Sequence, residues 1–212
     1  MRRVRMVAFD LDGTLTRGNC LKALVEHFGF AEKIARWEQN DMSHSELVEV
    51  RAALRRLLAD RDLDEQAEAL AKIPLAPGAV EAAAALREAG IPTVIVSLVF
   101  APHAAWFARR LGIDHVIATE LLDQDEFRHM FPATKPVLLT DHAASLDIDP
   151  ADIAAFGDSP GDVPMLQAVG TSVYVGRVLP EGFRPTWHAP DAAIDTIVGR
   201  FITTGESVIN LQ

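Results

Sequence analysis

Short apolar runs alternate with helical stretches along this 212-residue chain. Five largely apolar runs have the length of buried strands. They lie at Val4–Phe9, Thr93–Val96, His115–Ala118, Ile153–Phe156 and Ser172–Val175. Strands that alternate with helices indicate a parallel sheet covered by helices on both faces. The pattern therefore predicts an α/β fold with a doubly wound, mostly parallel sheet.

The block between the first two predicted strands is helical throughout. Helices are predicted at residues 21–28, around Ile34 and Trp37, from a capping box at Ser43–Glu46, and at Leu63–Ala71. Because no convincing strand interrupts this block, we predict a helical cap at residues 17–75, inserted into a core of residues 1–16 and 76–212. Core helices are predicted at Ala79–Glu88, Ala101–Leu111, Lys135–Ser145, Pro164–Gly170 and Ala192–Thr203, and a small hairpin at Leu121–Met130, around Asp123–Asp125.

The charge balance limits the partners that this chain can bind. The formal net charge is −10 and the sequence pI is about 5.1, so no long-range positive field attracts nucleic acid or an anionic membrane. An anion must then be bound by a local positive group, such as a metal, a lysine or helix amino ends. We expect a small-molecule partner, no nucleic acid and no membrane.

Cysteine content and the first residues bear on location. Cys20 is the only cysteine, so no intrachain disulfide forms, which is usual in a reducing cytosol. The basic start Met1–Arg5 is followed by too few apolar residues for a signal-peptide core, and no apolar run has membrane-spanning length. We expect a cytoplasmic protein that is a monomer or a homodimer.

Asp10 and Asp12 directly follow the first predicted strand. Side chains two residues apart in an extended chain point the same way, so both carboxylates face one spot where open α/β sheets bind ligands. Such a pair suits a cation, or a nucleophile beside a proton donor. The alternative is that Asp12-Gly13 only forms a turn. A helix-loop-helix calcium loop fits poorly, because it needs glycine at its sixth position and Gly13 is fourth.

Further polar residues fall at strand ends or helix starts, namely Ser97, Lys135, Asp158 and Asp162. In a parallel sheet they can converge with Asp10 on one crevice, which would then hold carboxylates, a hydroxyl and an ammonium group. That inventory suits phosphoryl transfer, in which positioning and charge neutralisation do most of the work.

Each of these residues also has an interpretation without function. The alternative for Ser97 is an ordinary serine that ends a strand. The alternative for Lys135 is a solvated lysine in a first helical turn, although a cation is disfavoured there. A capping box that begins at Ser159 explains Asp162 but leaves Asp158 unexplained.

Taken together, these stretches resemble the four motifs of the haloacid dehalogenase superfamily. The motifs correspond to Asp10–Thr16, Ser97, Lys135 and Gly157–Asp162, in matching order and spacing. The helical insert resembles the cap of the phosphoserine phosphatase-like branch, and the segment between Ser97 and Lys135 leaves little room for a large second cap. The resemblance implies a Rossmann-like core and a magnesium-dependent phosphatase for a small phosphorylated metabolite.

The resemblance also implies roles for individual residues. Asp10 would attack phosphorus and become an aspartyl phosphate, and Asp12 would protonate the leaving alcohol and then activate water. Ser97 and the backbone amide of Leu98 would hold phosphate oxygens, and Lys135 would neutralise Asp10 and the phosphate together. A carboxylate attacks a phosphate dianion only poorly until a cation offsets the repulsion, so these roles are chemically sensible.

A magnesium ion is part of the same implied mechanism. Its ligands would be Asp10, the backbone carbonyl of Asp12 and Asp158. Asp162 would support the waters of the metal, or Lys135.

The sequence departs from the phosphoserine phosphatase pattern in two places. Leu98-Val99 stand where those enzymes carry two glycines, and Asn19 stands where a cap glutamate meets the substrate ammonium group. Glycine permits close ligand approach that leucine and valine do not, and an uncharged amide binds ammonium more weakly. Arg51 is a candidate for the cap arginine that grips the substrate carboxylate. Arg17, Asn19 and Cys20 are candidate lining residues, but Asn19 and Cys20 alternatively just begin the first cap helix.

Two other functions stay open. A phosphotransferase would pass the phosphoryl group to a small alcohol, and a non-catalytic protein on the same fold would only bind a phosphate ligand. Leu98-Val99 favours the binding protein, whereas intact Asp10, Asp12, Lys135 and Asp158 favour an enzyme. Dehalogenation is disfavoured, because that branch needs neither Asp12 nor magnesium.

Overall fold

A computed structural model describes residues 3–34, 43–122 and 126–206. The strands are β1 (Met6–Phe9), β2 (Thr93–Phe100), β3 (His115–Leu121), β4 (Phe127–Arg128), β5 (Ile153–Gly157), β6 (Thr171–Tyr174) and β7 (Trp187–His188). The α-helices are α1 (Cys20–His27), α2 (His44–Leu58), α3 (Leu63–Leu70), α4 (Ala79–Glu88), α5 (Ala101–Leu111), α6 (Lys135–Ser145), α7 (Val163–Gln167) and α8 (Ile194–Glu206).

Among the described residues, seven strands form one sheet in the order β4-β3-β2-β1-β5-β6-β7. Neighbouring strands are parallel, except for the antiparallel hairpin of β3 and β4. The central strand β1 lies between β2 and β5, so its carboxyl end is the topological switch point at which such sheets bind ligands. The predicted doubly wound, mostly parallel α/β fold is confirmed.

Alternation along β1 divides the core into two layers. Val7 and Phe9 belong to the apolar cluster that includes α4, α5 and α8, whereas Met6 and Ala8 belong to the cluster that includes α6 and α7. A strand covered on both faces is apolar throughout, as β1 is. Burial of a side chain such as Phe9 contributes about 1.5–3 kcal/mol. Because β1 is buried on both faces, it fixes the position of Asp10, the polar residue that follows it.

The helical insert joins the core through two chain segments that lie side by side. Thr16 and Leu75 form an isolated antiparallel bridge. The Arg17 amide donates to the Pro74 carbonyl over 2.7 Å, and the Ala76 amide donates to the Leu15 carbonyl over 2.8 Å. The division into a cap at residues 17–75 and a two-part core stays a prediction, and these contacts mark where the two would meet.

Several predicted elements need correction. β2 was expected to end at Ser97 and continues to Phe100, and β3 continues to Leu121. Residues 31–33 form a turn and Ile34 a bend, and the rest of the helix predicted around Ile34 and Trp37 lies outside the described residues.

Other elements match the expectation closely. The capping box at Ser43 is present, since the Ser43 amide donates to Glu46 Oε2 and the Glu46 amide donates to Ser43 Oγ. The predicted hairpin is formed by Glu120–Leu121 and Phe127–Arg128, but its expected tip at Asp123–Asp125 lies outside the described residues. Within the described ranges, no helix combines the length and the apolar composition needed to cross a bilayer.

Candidate active site

The first predicted motif forms a tight turn directly after β1. The Asp10 amide donates to the Phe156 carbonyl over 2.9 Å, which ties the end of β1 to β5. The following turn, Leu11–Leu15, has non-helical backbone angles at Asp12 and at Gly13, whose φ is +88°. Gly13 also lacks room for a side chain, because a Cβ there would lie 2.2 Å from Asp158 Oδ2. The turn therefore brings the first motif against the last one.

Lys135, the first residue of α6, reaches into the interior of the protein. Its Nζ lies 2.7 Å from Asp10 Oδ1 and 2.6 Å from Asp162 Oδ1, and only 2% of the residue is exposed. The two carboxylates explain why a cation is tolerated at this helix amino end, where it is otherwise disfavoured. The ammonium group joins three stretches that are far apart in sequence.

Asp158 and Asp162 follow β5 and differ in their contacts. Asp162 Oδ2 accepts hydrogen bonds from the amides of Asp158 and Ser159 and from Ser159 Oγ, at 3.2, 3.0 and 2.8 Å. With Oδ1 on Lys135, both oxygens of Asp162 are engaged in holding neighbouring groups. Asp158 is half-buried, and its Oδ1 accepts from Thr14 Oγ1 over 3.1 Å.

Negative charge exceeds positive charge in this cluster. Burial, and then the proximity of Asp162, raise the pKa of Asp10 well above its usual range, although Lys135 opposes the shift. Burial and Asp162 likewise raise the pKa of Asp158 to about 6. Burial alone would lower the pKa of Lys135, but Asp10 and Asp162 raise it above the ordinary lysine value. A further cation bound here would lower the pKa values of these carboxyl groups and so favour their charged forms.

The residues present fit a hard divalent cation. Carboxylate oxygens of Asp10, Asp158 and Asp162 lie within 4.8 Å of one another. Oxygen is the ligand that Mg²⁺ prefers in proteins, and the single ammonium group of Lys135 does not balance three carboxylates. Since Asp162 is occupied by Lys135 and by the Ser159 loop, Asp10 and Asp158 are the better placed ligands.

The Asp12 side chain is bound at the first turn of α1. Its two carboxylate oxygens accept from the backbone amide of Cys20 over 3.0 and 3.1 Å. Burial raises the pKa of Asp12 to about 6, against the opposing effect of the bonds from Cys20. A carboxyl group with a pKa near neutrality exchanges protons readily at physiological pH. Asp12 thus has a different hydrogen-bond partner from Asp10, while the charges of Asp158 and Lys135 still act on it.

Ser97 lies in an irregular part of β2. Val96 pairs with Ile117 and Phe100 pairs with Thr119, so residues 97–99 lie opposite Ala118 alone. The strand bulges there without any left-handed residue at Leu98 or Val99. Ser97 itself is 2% exposed and lies two residues beyond Ile95, the partner of Phe9 in β1. Leu98 and Val99 are therefore accommodated in the bulge without a positive φ.

The predicted cap residues are placed differently from one another. Asn19 is exposed, and its side chain accepts from the Lys22 amide as the N-cap of α1, with Cys20 buried at the next position. That is the helix-start interpretation of this pair. Arg17 is exposed, whereas Arg51 on α2 is 5% exposed and donates to the Leu98 carbonyl over 2.6 Å. Of the candidate residues named in the predicted cap, Arg51 thus contacts the backbone directly after Ser97.

Sequence reasoning missed three residues around this site. Thr14 holds Asp158, Thr119 Oγ1 donates to the Leu98 carbonyl over 2.9 Å, and His129 Nδ1 lies 3.3 Å from Arg51 Nη1. Thr14 carried a usable signal, since it lies two residues after Asp12 in the first motif. Nothing in the local sequence of Thr119 or His129 distinguishes them from other residues of a strand and a hairpin.

Two comparisons with known proteins agree on one family. The profile of the haloacid dehalogenase-like hydrolase family matches residues 7–167. A phosphoserine phosphatase from Halobacterium salinarum is 30% identical over 182 residues, which cover 80% of this chain and 85% of that protein.

Solved structures share the fold. A haloacid dehalogenase family hydrolase from Salmonella enterica serovar Typhi has a TM-score of 0.69 at 20% identity; the match covers 80% of this chain and 61% of that one. A phosphoserine phosphatase solved as a phospho-aspartyl intermediate analogue has a TM-score of 0.66 at 20% identity, covering 82% of this chain and 87% of that one.

Proposed function

Because this chain belongs to the haloacid dehalogenase-like hydrolases and is a phosphoric monoester hydrolase, we propose that it hydrolyses a small-metabolite phosphomonoester through an aspartyl phosphate, with Mg²⁺. The observation that carries this proposal is the buried bridge from Lys135 Nζ to Asp10 and Asp162, beside Asp158. Phosphoryl transfer needs a nucleophile surrounded by groups that neutralise charge, and this cluster supplies both.

Asp10 is the proposed nucleophile. One of its oxygens is bound to Lys135, and the other attacks phosphorus while the ester oxygen leaves. Lys135 favours the ionised form of Asp10 against the effect of burial, and it lowers the repulsion between the Asp10 carboxylate and the phosphate dianion. Asp162 holds the ammonium group in place through its second bond to Nζ.

Asp12 is the proposed acid and base. In the first step its protonated carboxyl gives a proton to the departing alcohol oxygen, and in the second step its carboxylate takes a proton from the attacking water. A pKa of about 6 allows both forms near neutral pH. Its anchorage to the Cys20 amide links this group to the first cap helix.

Ser97 and the Leu98 amide are the proposed phosphate-holding groups. Both lie on the bulge of β2, next to the end of β1 that carries Asp10. Hydrogen bonds from fixed donors to phosphate oxygens stabilise the charge that develops in the transition state.

The magnesium ion would be held by Asp10, the Asp12 backbone carbonyl and Asp158, with Asp162 in support. When bound, it supplies positive charge that polarises the phosphoryl group. The hard oxygen donors and the excess of carboxylates over ammonium groups support this assignment.

The proposed substrate is a small phosphorylated metabolite. The relatives are named phosphoserine phosphatases, and phosphoserine is one member of this class. We do not assign phosphoserine, because Asn19 and Leu98-Val99 depart from the pattern of enzymes that act on it. A panel of phosphorylated amino acids, amino alcohols and sugars would identify the substrate.

The test is hydrolysis of p-nitrophenyl phosphate with magnesium by the wild-type protein and by Asp10→Asn. We expect the variant to lose activity, while Asp60→Asn, which changes an exposed aspartate outside the site, retains it. Full activity of a clean Asp10→Asn preparation would remove the nucleophile assignment. Product analysis with added small alcohols separates hydrolysis from phosphotransfer, and tight phosphate-ester binding without turnover would favour the non-catalytic alternative.

A further inference from the structure

The carbonyl oxygen of Leu98 is held from two sides by side chains. Arg51 Nη2, on cap helix α2, donates to it over 2.6 Å, and Thr119 Oγ1, on β3, donates over 2.9 Å. Thr119 Oγ1 in turn accepts from the Met130 amide over 3.1 Å. One backbone oxygen next to Ser97 thus connects the cap, the sheet and the hairpin that follows β3.

The bulge in β2 explains why this oxygen needs such partners. Residues 97–99 face Ala118 alone, so the regular ladder between β2 and β3 is interrupted there. Backbone carbonyls that leave a ladder inside a protein must find other donors. Arg51 and Thr119 provide them, and together they fix the plane of the peptide that follows Leu98.

Arg51 is used in an unusual way for a buried cation. It is 5% exposed, and among the described residues it forms no ion pair with a carboxylate. Its partners are the Leu98 carbonyl, His129 Nδ1 at 3.3 Å and the face of the Phe131 ring, whose centroid lies 5.8 Å from Cζ. Burying a guanidinium group is unfavourable without strong hydrogen bonds, and a charged donor makes a stronger bond to the carbonyl than a neutral one.

We propose that Arg51 and Thr119 are positioning residues that clamp the Leu98 carbonyl and thereby shape the phosphate-holding bulge. Because Arg51 belongs to α2 while Ser97 belongs to β2, phosphate affinity depends on the position of the cap. This inference rests on the proposed function, since it assumes that Ser97 and the Leu98 amide hold phosphate.

The experiment must separate the clamp from direct contact between Arg51 and a substrate carboxylate. Inorganic phosphate is the suitable probe, because it carries no carboxylate and needs no turnover. Its dissociation constant is measured by calorimetry in the presence of magnesium, for the wild type, Arg51→Met, Thr119→Val and the double variant. Arg55→Met is the matched control, because Arg55 lies one turn further along α2 and donates to a different carbonyl, that of Leu122.

We expect the phosphate dissociation constant to rise about tenfold in Arg51→Met and in Thr119→Val. Each variant loses one hydrogen bond to the Leu98 carbonyl, and a loss of this size corresponds to about one hydrogen bond. In the double variant the dissociation constant should rise by much less than the product of the two single increases, since both changes remove a donor from the same oxygen. Arg55→Met should bind phosphate as the wild type does, and Thr119→Ser, which keeps the hydroxyl, should restore binding. The kcat/KM for p-nitrophenyl phosphate should fall in parallel.

Unchanged phosphate binding in folded Arg51→Met and Thr119→Val would overturn the clamp. A loss confined to carboxylate-bearing substrates would also overturn it, and would assign Arg51 to the substrate carboxylate instead. If Thr119→Val does not fold, the comparison of Arg51→Met with Arg55→Met decides alone. Failure of the proposed function has a different signature, namely a wild-type protein that hydrolyses no phosphomonoester whatever its affinity for phosphate.

Discussion

Replacement of Gly13 by alanine tests the proposed metal site with a single methyl group. The Gly13 φ of +88° is a left-handed conformation that costs other residues about 1–2 kcal/mol. The new Cβ would lie 2.2 Å from Asp158 Oδ2, whereas ordinary van der Waals contact begins at 3.4 Å. The Asp158 carboxyl must therefore move by about 1.2 Å, the difference between these two distances.

A displacement of this size at a reacting centre lowers the rate by about 100-fold. The assay is hydrolysis of p-nitrophenyl phosphate at increasing magnesium concentrations. For Gly13→Ala we expect a kcat/KM about 100-fold below that of the wild type, together with a higher magnesium concentration at half-maximal rate. The second effect follows because the moved group, Asp158, is a proposed magnesium ligand.

Gly29→Ala is the matched control. Gly29 also has a positive φ, of +67°, but no atom lies within 4 Å of the position that its Cβ would occupy. Both variants should lose about 1 kcal/mol of unfolding free energy from the backbone conformation, yet only Gly13→Ala should lose activity. A Gly13→Ala protein with wild-type rate and wild-type magnesium requirement would refute the placement of the metal at Asp158.

Three further predictions concern charge and stability. Magnesium at about 100 times its Kd should raise the unfolding free energy by about 2.7 kcal/mol; thermal unfolding with and without a chelator measures this, and Asp158→Asn should lose most of the shift. Lys135→Met should slow p-nitrophenyl phosphate hydrolysis about 100- to 1000-fold and lower the unfolding free energy in urea by about 3–5 kcal/mol, because it leaves two buried carboxylates without a counter-ion. The pKa of His103, 4% exposed, is lowered by burial from 6.5 to about 4. The unfolded chain therefore binds the proton first, and stability present above pH 6.5 is lost as the pH falls towards 4, by about 3 kcal/mol in urea titrations.

Each of these predictions has a result that contradicts it. Equal magnesium stabilisation of the wild type and Asp158→Asn would place the ion elsewhere. A Lys135→Met protein as stable as the wild type would mean that the buried carboxylates need no counter-ion. His103→Gln keeps a donor for Gln66 Oε1, which lies 2.7 Å from His103 Nε2, but it cannot titrate. If His103→Gln lost as much stability in acid as the wild type, groups other than His103 would be the cause of that loss.

The sequence was sufficient to predict the sheet and the convergence of the charged residues. The runs before Asp10 and Asp158 are apolar throughout, which only strands buried on both faces tolerate. In a parallel sheet such strands end at the same edge, so their terminal carboxylates had to lie near one another. Lys135 was informative for a different reason, since a cation at a helix amino end needs a compensating partner, and the structure supplies two.

Local sequence patterns could not predict the shape of the proposed phosphate-holding segment. β2 continues past Ser97 to Phe100 because the apolar run does not stop, and the Leu98 carbonyl in its bulge accepts from Thr119 and Arg51. Those donors lie 21 and 47 positions away in sequence, so no window around Ser97 contains them. The two-residue strand β7 was missed because a segment that short has no measurable periodicity.

The bond from the Cys20 amide to Asp12 has an evolutionary consequence. The main-chain amide donates to both carboxylate oxygens, and the thiol of Cys20 also lowers the pKa of Asp12. A lineage that replaces Cys20 by a compact apolar side chain keeps the amide bond but loses the effect of the thiol, so the pKa of its acid rises. Proline would also remove the bond itself, since it is compatible with the first turn of a helix but lacks the amide hydrogen.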